Sequence, residues 1–215
     1  MMNKMAFKSL LFLLLFSINI FSQTESTKDS LTENNIENAM LHPEEVIRLN
    51  LSNQEIDFNK IDFSKFVNLE YLSLENDNLS EIPNGIVLLK KIKTLNLSGN
   101  QFKNLPISFE KLTTLEELYL NNESNFKFER NIEVLSKLPN LKRLHLENDK
   151  LSKLPAKINL LKSIEYLYIN NNQFKKFPLE IQGLQNLQYL DLKENQIKQE
   201  DIDILELNFG FQIKL

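Results

Sequence analysis

The sequence predicts an α/β solenoid: short parallel strands stacked side by side, each joined to the next by a short helical, 3-10 or extended return segment on the outside. Three observations predict it. An apolar frame begins at Val46, Leu69, Ile92, Leu115, Leu141, Ile164 and Leu187, with steps of 23, 23, 23, 26, 23 and 23 residues. A constant step of this size describes a stacked array rather than a globule closed around one core. Within each unit the fourth and sixth residues are apolar, Leu95 and Leu97 in the third unit, for example. That alternation has the period of a strand with one buried face. The strand is followed by a polar turn and then, in four units, by Ile82-Pro83, Leu105-Pro106, Leu154-Pro155 or Phe177-Pro178. Proline fixes φ and lacks an N–H, so the chain there turns back instead of extending a helix.

The elements follow in chain order. Residues 1–22 begin with Lys4 and Lys8, continue through an apolar stretch from Leu10 to Ile20, and close on Phe21-Ser22 before the polar Gln23-Thr24-Glu25. This layout reads as a secretory signal peptide cleaved near Ser22, and its apolar part is short for a membrane span. An uncleaved anchor is the alternative. Residues 23–45 form a polar lead-in and then an N-terminal helical cap. Ser30 and Glu33 have the form of a capping box, Ile36, Ala39 and Met40 follow at helical spacing, and Pro43 ends the segment.

Residues 46–200 hold the seven units. No unit buries its own leucines, so stacking at roughly 4.8 Å per strand must build one apolar spine about 30 Å long. The fourth unit is three residues too long and lacks the Leu-Pro step. Ile132, Leu135 and Leu138 recur there at helical spacing and predict a short outer helix near Asn131 to Lys137. Residues 201–215 depart from the frame and read as a C-terminal cap carrying Ile202, Leu205, Leu207, Phe209, Phe211, Ile213 and Leu215.

The frame L-x-x-L-x-L-x-x-N-x-L, followed by x-x-L-P-x-x-I-x-x-L, resembles the leucine-rich repeat family over residues 46 to about 200. The resemblance implies a curved right-handed solenoid with its sheet on the concave side. It also implies an asparagine at the ninth position that bonds to the backbone of neighbouring turns, since an amide both donates and accepts. Asn100, Asn172 and Asn195 match, whereas Gln54, Asp77, Glu123 and Asp149 do not. An ionised carboxylate accepts but cannot donate, so the ladder is expected to be partly broken. With the leader, the resemblance implies an exported bacterial member of the family.

Composition narrows the chemistry. The chain has no cysteine and two histidines, which excludes disulfides, thiolate metal sites and a cysteine nucleophile, and leaves a histidine-based metal site or triad hard to assemble. With Lys4 and Lys8 set aside, 23 basic residues face 29 acidic ones, a net charge of about −6. No basic stripe is visible in the sequence, so no nucleic-acid partner is expected. No phosphate-binding loop and no carboxylate pair suited to acid–base work stands out. No catalytic residue, cofactor or metal is expected, and the mature chain is expected to be a monomer without a membrane span.

The informative residues are those that alternate with the buried leucines and so face the concave surface. The third position of the units holds Arg48, Tyr71, Thr94, Glu117, Arg143, Tyr166 and Tyr189; the fifth holds Asn50, Ser73, Asn96, Tyr119, His145, Tyr168 and Asp191. All five tyrosines fall in these two columns. Two readings stand side by side. Tyrosine and arginine are enriched where partners dock, and aromatics also suit an exposed pleated surface for its own stability. The candidate binding residues are Tyr71, Tyr119, Arg143, His145, Tyr166, Tyr168 and Tyr189, with the densest group at Tyr119, His145 and Tyr168. The expected function is non-catalytic binding of a protein partner on the concave face of an exported scaffold. The alternative is a carbohydrate-binding or envelope-associated module using the aromatic rows, and an enzyme with its site between cap and solenoid is a third reading that the composition disfavours.

Overall fold

The computed structural model describes residues 32–123, 125–198 and 210–215. The leader, the polar lead-in up to residue 31 and most of the C-terminal cap segment lie outside the described residues. Among the described residues no helix is long and apolar enough to cross a membrane.

Nine parallel strands form one sheet in chain order: β1 (Thr32–Glu33), β2 (Arg48–Asn50), β3 (Tyr71–Ser73), β4 (Thr94–Asn96), β5 (Glu117–Tyr119), β6 (Arg143–His145), β7 (Tyr166–Tyr168), β8 (Tyr189–Asp191) and β9 (Gln212–Lys214). Strands β2 to β8 occupy the third to fifth positions of the seven units. Their register pairs each fourth-position leucine with the next, Leu72 with Leu95 and Leu95 with Leu118, for instance. The side chains at positions one, four and six are buried along the whole stack. This is the spine that the leucine period requires, because a parallel strand hides its leucines only when both neighbours are present.

The turn after each strand explains a column of residues just before the ladder position. Asn53, Asn76, Gly99, Asn122, Asn148, Asn171 and Glu194 all have positive φ. Asparagine and glycine are the residues that enter this left-handed region most readily. At Gly99 a β-carbon would also fall 1.9 Å from Asn76 Oδ1. The return segments then form 3-10 turns at Asn84–Leu88, Ile107–Lys111, Ala156–Leu160 and Leu179–Gly183, each directly preceded by the proline of its unit.

Three expectations are corrected. The N-terminal helix α1 is Ile36–Ala39, and its cap is Asn35, whose side chain accepts from the N–H groups of Glu37 and Asn38. Glu33 belongs to β1, so it does not close a capping box, and Ser30 lies outside the described residues. The helix of the long fourth unit, α2, is Phe128–Leu135, one turn earlier than the apolar spacing suggested. Phe128 is buried and Phe126 packs edge-on against Phe102 at 5.9 Å, which draws the start of the helix inward. The buried Asn131 then staples α2 to the unit before it: Oδ1 accepts from Leu105 N, and Nδ2 donates to Lys103 O and Lys127 O. Finally, β9 continues the repeat. It pairs Leu190 with Ile213, again a 23-residue step, so the last residues add the strand of an eighth unit where only a cap was expected.

The ladder is continuous on its accepting side from Asp77 to Asn172. Asp77 Oδ1 accepts from Gln54 N at 2.7 Å, Asn100 Oδ1 from Asp77 N at 3.1 Å, Glu123 Oε1 from Asn100 N at 2.7 Å, Asp149 Oδ1 from Glu123 N at 2.7 Å, and Asn172 Oδ1 from Asp149 N at 3.0 Å. The donating side is where the carboxyl residues differ. Asn100 Nδ2 donates to the carbonyls of Leu74 and Leu97, and Asn172 Nδ2 to those of Leu146 and Ile169. At Asp77, Glu123 and Asp149 the second carboxyl oxygen is buried without a partner. Burial raises their pKa values to about 6, about 8 and about 7 respectively. A protonated carboxyl both donates and accepts, as the asparagine amide does, and burial favours that neutral form at these three positions.

Candidate binding site on the sheet face

Alternation along β5 to β8 sends Glu117 and Tyr119, Arg143 and His145, Tyr166 and Tyr168, and Tyr189 and Asp191 to the face away from the core. Parallel in-register pairing places Tyr119 beside His145 and His145 beside Tyr168. The three rings stack. Tyr119 and His145 have centroids 3.9 Å apart and planes 15° apart; His145 and Tyr168 are 4.2 Å and 4° apart. Tyr189 leans on Tyr168 at 5.5 Å and on Tyr166 at 6.3 Å, and the Arg143 guanidinium sits 4.8 Å above the Tyr166 ring. Six of the seven candidate residues therefore join one continuous cluster. Tyr71 does not. It lies on β3 under the Arg48 guanidinium, 4.0 Å from its ring centre.

His145 is the keystone, with only 7% of its surface exposed. Its Nε2 lies 3.1 Å from Glu117 Oε1 and its Nδ1 3.3 Å from Glu147 Oε1. With a carboxylate on each nitrogen, the ring satisfies both only as the doubly protonated imidazolium. Burial opposes that charge, but the hydrogen bonds to Glu117 and Glu147 outweigh it and hold the pKa above the ordinary histidine value. The same hydrogen bond from His145 holds Glu117 below the usual carboxylate range. Burial, reinforced by Glu117, raises the Tyr119 phenol, so that hydroxyl stays protonated and donates to Glu117 Oε1 at 3.0 Å.

The hydroxyls of Tyr166 and Tyr189 are likewise engaged, with Gln188 and Asp191. Those of Tyr71 and Tyr168 have no partner among the described residues. The carboxylates that orient the cluster, Glu117, Glu147 and Asp191, were not among the sequence candidates. Glu117 and Asp191 stand in the same two columns as the tyrosines. Glu147 lies two residues beyond His145, a spacing that returns to the same face of an extended chain. A histidine in an exposed column with acids at both neighbouring places was the signal to use.

The rings of the cluster are locked by stacking, half-buried, and rimmed by paired charges. One group of possible metal ligands occurs elsewhere among the described residues: His42, Glu44 and Glu45, with ligand atoms within 4.8 Å of one another and all three side chains exposed. It is remote in sequence from the cluster and lacks the buried, oriented donors that a built metal centre shows.

Comparison with known proteins agrees with this architecture. A family profile described as leucine rich repeat matches residues 67–125, and a second, for two copies of the repeat, matches residues 162–207. No curated protein sequence matches the chain. Among solved structures, a leucine-rich-repeat protein of Leptospira interrogans is 27% identical with a TM-score of 0.58, over 85% of this chain and 53% of that one. The internalin InlF of Listeria monocytogenes is 22% identical with a TM-score of 0.58, over 79% of this chain and 47% of that one. Internalin C2 of the same organism is 26% identical with a TM-score of 0.59, over 80% and 72%. The chain thus spans about half the length of InlF and of the Leptospira protein. The repeat frame, the parallel sheet of the described residues and these matches lead to one conclusion: residues 67–125 and 162–207 are leucine-rich repeats, and the fold is that of a leucine-rich-repeat solenoid.

Proposed function

We propose that the chain is an exported, non-catalytic scaffold that binds another protein on the concave face of its sheet. The observation that carries this reading is the stack of Tyr119, His145 and Tyr168, pinned by Glu117 and Glu147. Rigid aromatic side chains with polar tips give large contact area at low entropic cost, which is the usual composition of interface hot spots. The rings cover each other's faces, which favours a partner that grips their edges and the Tyr168 hydroxyl over a sugar stacked on an open ring. The fold supports the reading too: one structural neighbour, at 17% identity and a TM-score of 0.62, is a chain of the Drosophila Toll–Spätzle complex. Export follows from the leader-like residues 1–22.

The test is comparative capture. Wild type and the Tyr119→Ala/Arg143→Ala/Tyr168→Ala variant are used as bait in envelope and host extracts, and the recovered proteins are quantified by mass spectrometry. A partner recovered by wild type is expected to fall by about tenfold or more with the variant, the loss of one to two hot-spot contacts, while circular dichroism shows the fold retained. Equal recovery by both baits removes the concave cluster as the binding site.

A further inference from the structure

The sequence shows no basic run, yet stacking assembles one on the return side of the solenoid. Lys127 and Arg130 in the fourth unit, Lys150 and Lys153 in the fifth, and Lys175 and Lys176 in the sixth are all exposed. None of the six forms an ion pair among the described residues, although Lys157 nearby pairs with Glu133 at 2.6 Å. The early units carry acids in the corresponding stretch, Glu55 and Asp57 in the first and Glu81 in the second. The flank is therefore polar along its length, and its basic end belongs to a chain whose overall charge is negative.

These cations line grooves and not a flat surface. One groove, of about 450 Å³, runs between the fourth and fifth units past four cations, Lys127, Arg130, Lys150 and Lys153, and one acid, Glu129. The next, of about 690 Å³, runs between the fifth and sixth past three cations, Lys153, Lys175 and Lys176, and one acid, Glu180. Ser152 and Lys153 border both, so the two grooves are continuous. Neutral groups are interleaved with the charges: the side chains of Ser152, Gln173 and Gln196 border the larger groove and make no hydrogen bond among the described residues.

We propose that this flank is a second binding site, for an acidic polysaccharide chain that carries carboxylate or sulfate groups along its length. A row of unpaired cations, two to a unit and each pair one repeat from the next, matches a polymer of recurring negative charge. Free amides and a hydroxyl between the cations match a ligand that offers hydroxyls beside its acids. An acidic peptide offers few hydroxyls. A nucleic acid would seek ring faces to stack on, whereas Phe126, Phe174 and Phe177 at these grooves are buried. The site lies on the return segments and is independent of the tyrosine cluster on the sheet.

The test is titration of the full chain with a heparin-derived octasaccharide and with an oligogalacturonate, beside polyglutamate, oligo-dT and uncharged dextran. At least one acidic oligosaccharide is expected to bind, and to bind about tenfold or more tightly than polyglutamate or oligo-dT, with affinity falling steeply as salt rises. The variant Lys153→Ala/Lys175→Ala/Lys176→Ala is expected to lose about tenfold or more in that affinity, because only exposed side chains are removed and the fold is kept. A control variant on the opposite flank, Lys90→Ala/Lys91→Ala/Lys162→Ala, is expected to bind as wild type does. Absence of binding to both acidic glycans overturns the proposal. So does equal or tighter binding of polyglutamate or oligo-dT, and so does equal loss of affinity in the two lysine variants.

Discussion

Replacing Glu123 by glutamine should remove a large part of the pH dependence of folding. Glu123 is 1% exposed, its Oε1 accepts from Asn100 N, and its Oε2 is buried without a partner. Burial raises its pKa from 4.5 to about 8, with Asp149 adding repulsion. A group whose folded pKa exceeds its unfolded value holds its proton more tightly in the folded chain. Its contribution is therefore complete below about pH 4.5 and disappears as pH rises through about 8. The gap between 4.5 and about 8 is worth about 5 kcal/mol at the alkaline end, at 1.36 kcal/mol per pH unit. Asp149 and Asp77, raised to about 7 and about 6, act in the same direction. Urea unfolding of wild type should thus show stability falling from about pH 5 to about pH 9. Glutamine carries no charge at any pH and its amide donates from the same buried place, as Asn100 does in its own turn. Glu123→Gln should flatten the curve by several kcal/mol and be more stable than wild type at about pH 9. Parallel curves for the two proteins would show that Glu123 is not a neutral acid in the folded chain.

Other outcomes follow from the same geometry. Leu97→Ala, which opens a void in the fully buried spine, should cost about 2–5 kcal/mol in urea denaturation; an unchanged midpoint contradicts the stacked core. Asn131→Ala leaves Leu105 N without its acceptor and should cost about 1–3 kcal/mol, with faster amide exchange at Leu105 as the local readout. His145 should titrate above the ordinary 6.5 by NMR. Its stabilising share is present below pH 6.5 and is lost as pH rises through the folded value. Glu117→Gln should lower that value, and a titration unmoved by the change argues against the carboxylate clamp.

Much of the fold is legible in the sequence because one physical constraint repeats. An apolar residue at the fourth and sixth positions must find a neighbour on each side, so the steps of 23 residues, with the one of 26 between β5 and β6, set strand order and register from β2 to β8. The column of Asn53, Asn76, Asn122, Asn148 and Asn171 was not read from the sequence; its cause is the positive φ that recurs at one place in each turn. Strand β9 was missed because its unit opens on Gly210 instead of an apolar residue, although Ile213 and Leu215 keep the step. The start of α2 was missed because Phe128 and Asn131 are fixed by tertiary contacts with the third unit, which no local spacing reports. At the site, the columns place Tyr119, His145, Tyr166, Tyr168 and Tyr189 beside one another, while Tyr71 stands apart from them. What they could not show is the charge state: that Glu117 and Glu147 close on both nitrogens of His145, and that Asp77, Glu123 and Asp149 lose access to water, depends on packing depth rather than on position in the repeat.

Docking on the sheet face is tested most directly by placing a photo-cross-linker in the cluster and reading what it touches. Tyr168→benzoylphenylalanine keeps an aromatic ring at the exposed edge of the stack, and Lys90→benzoylphenylalanine puts the same group on a flank outside it. After irradiation in the presence of the captured partner, a covalent complex is expected from position 168 and not from position 90. Cross-linking from position 90 alone, or from neither position while the partner remains bound, would contradict docking on the face that Tyr119, His145 and Tyr168 form.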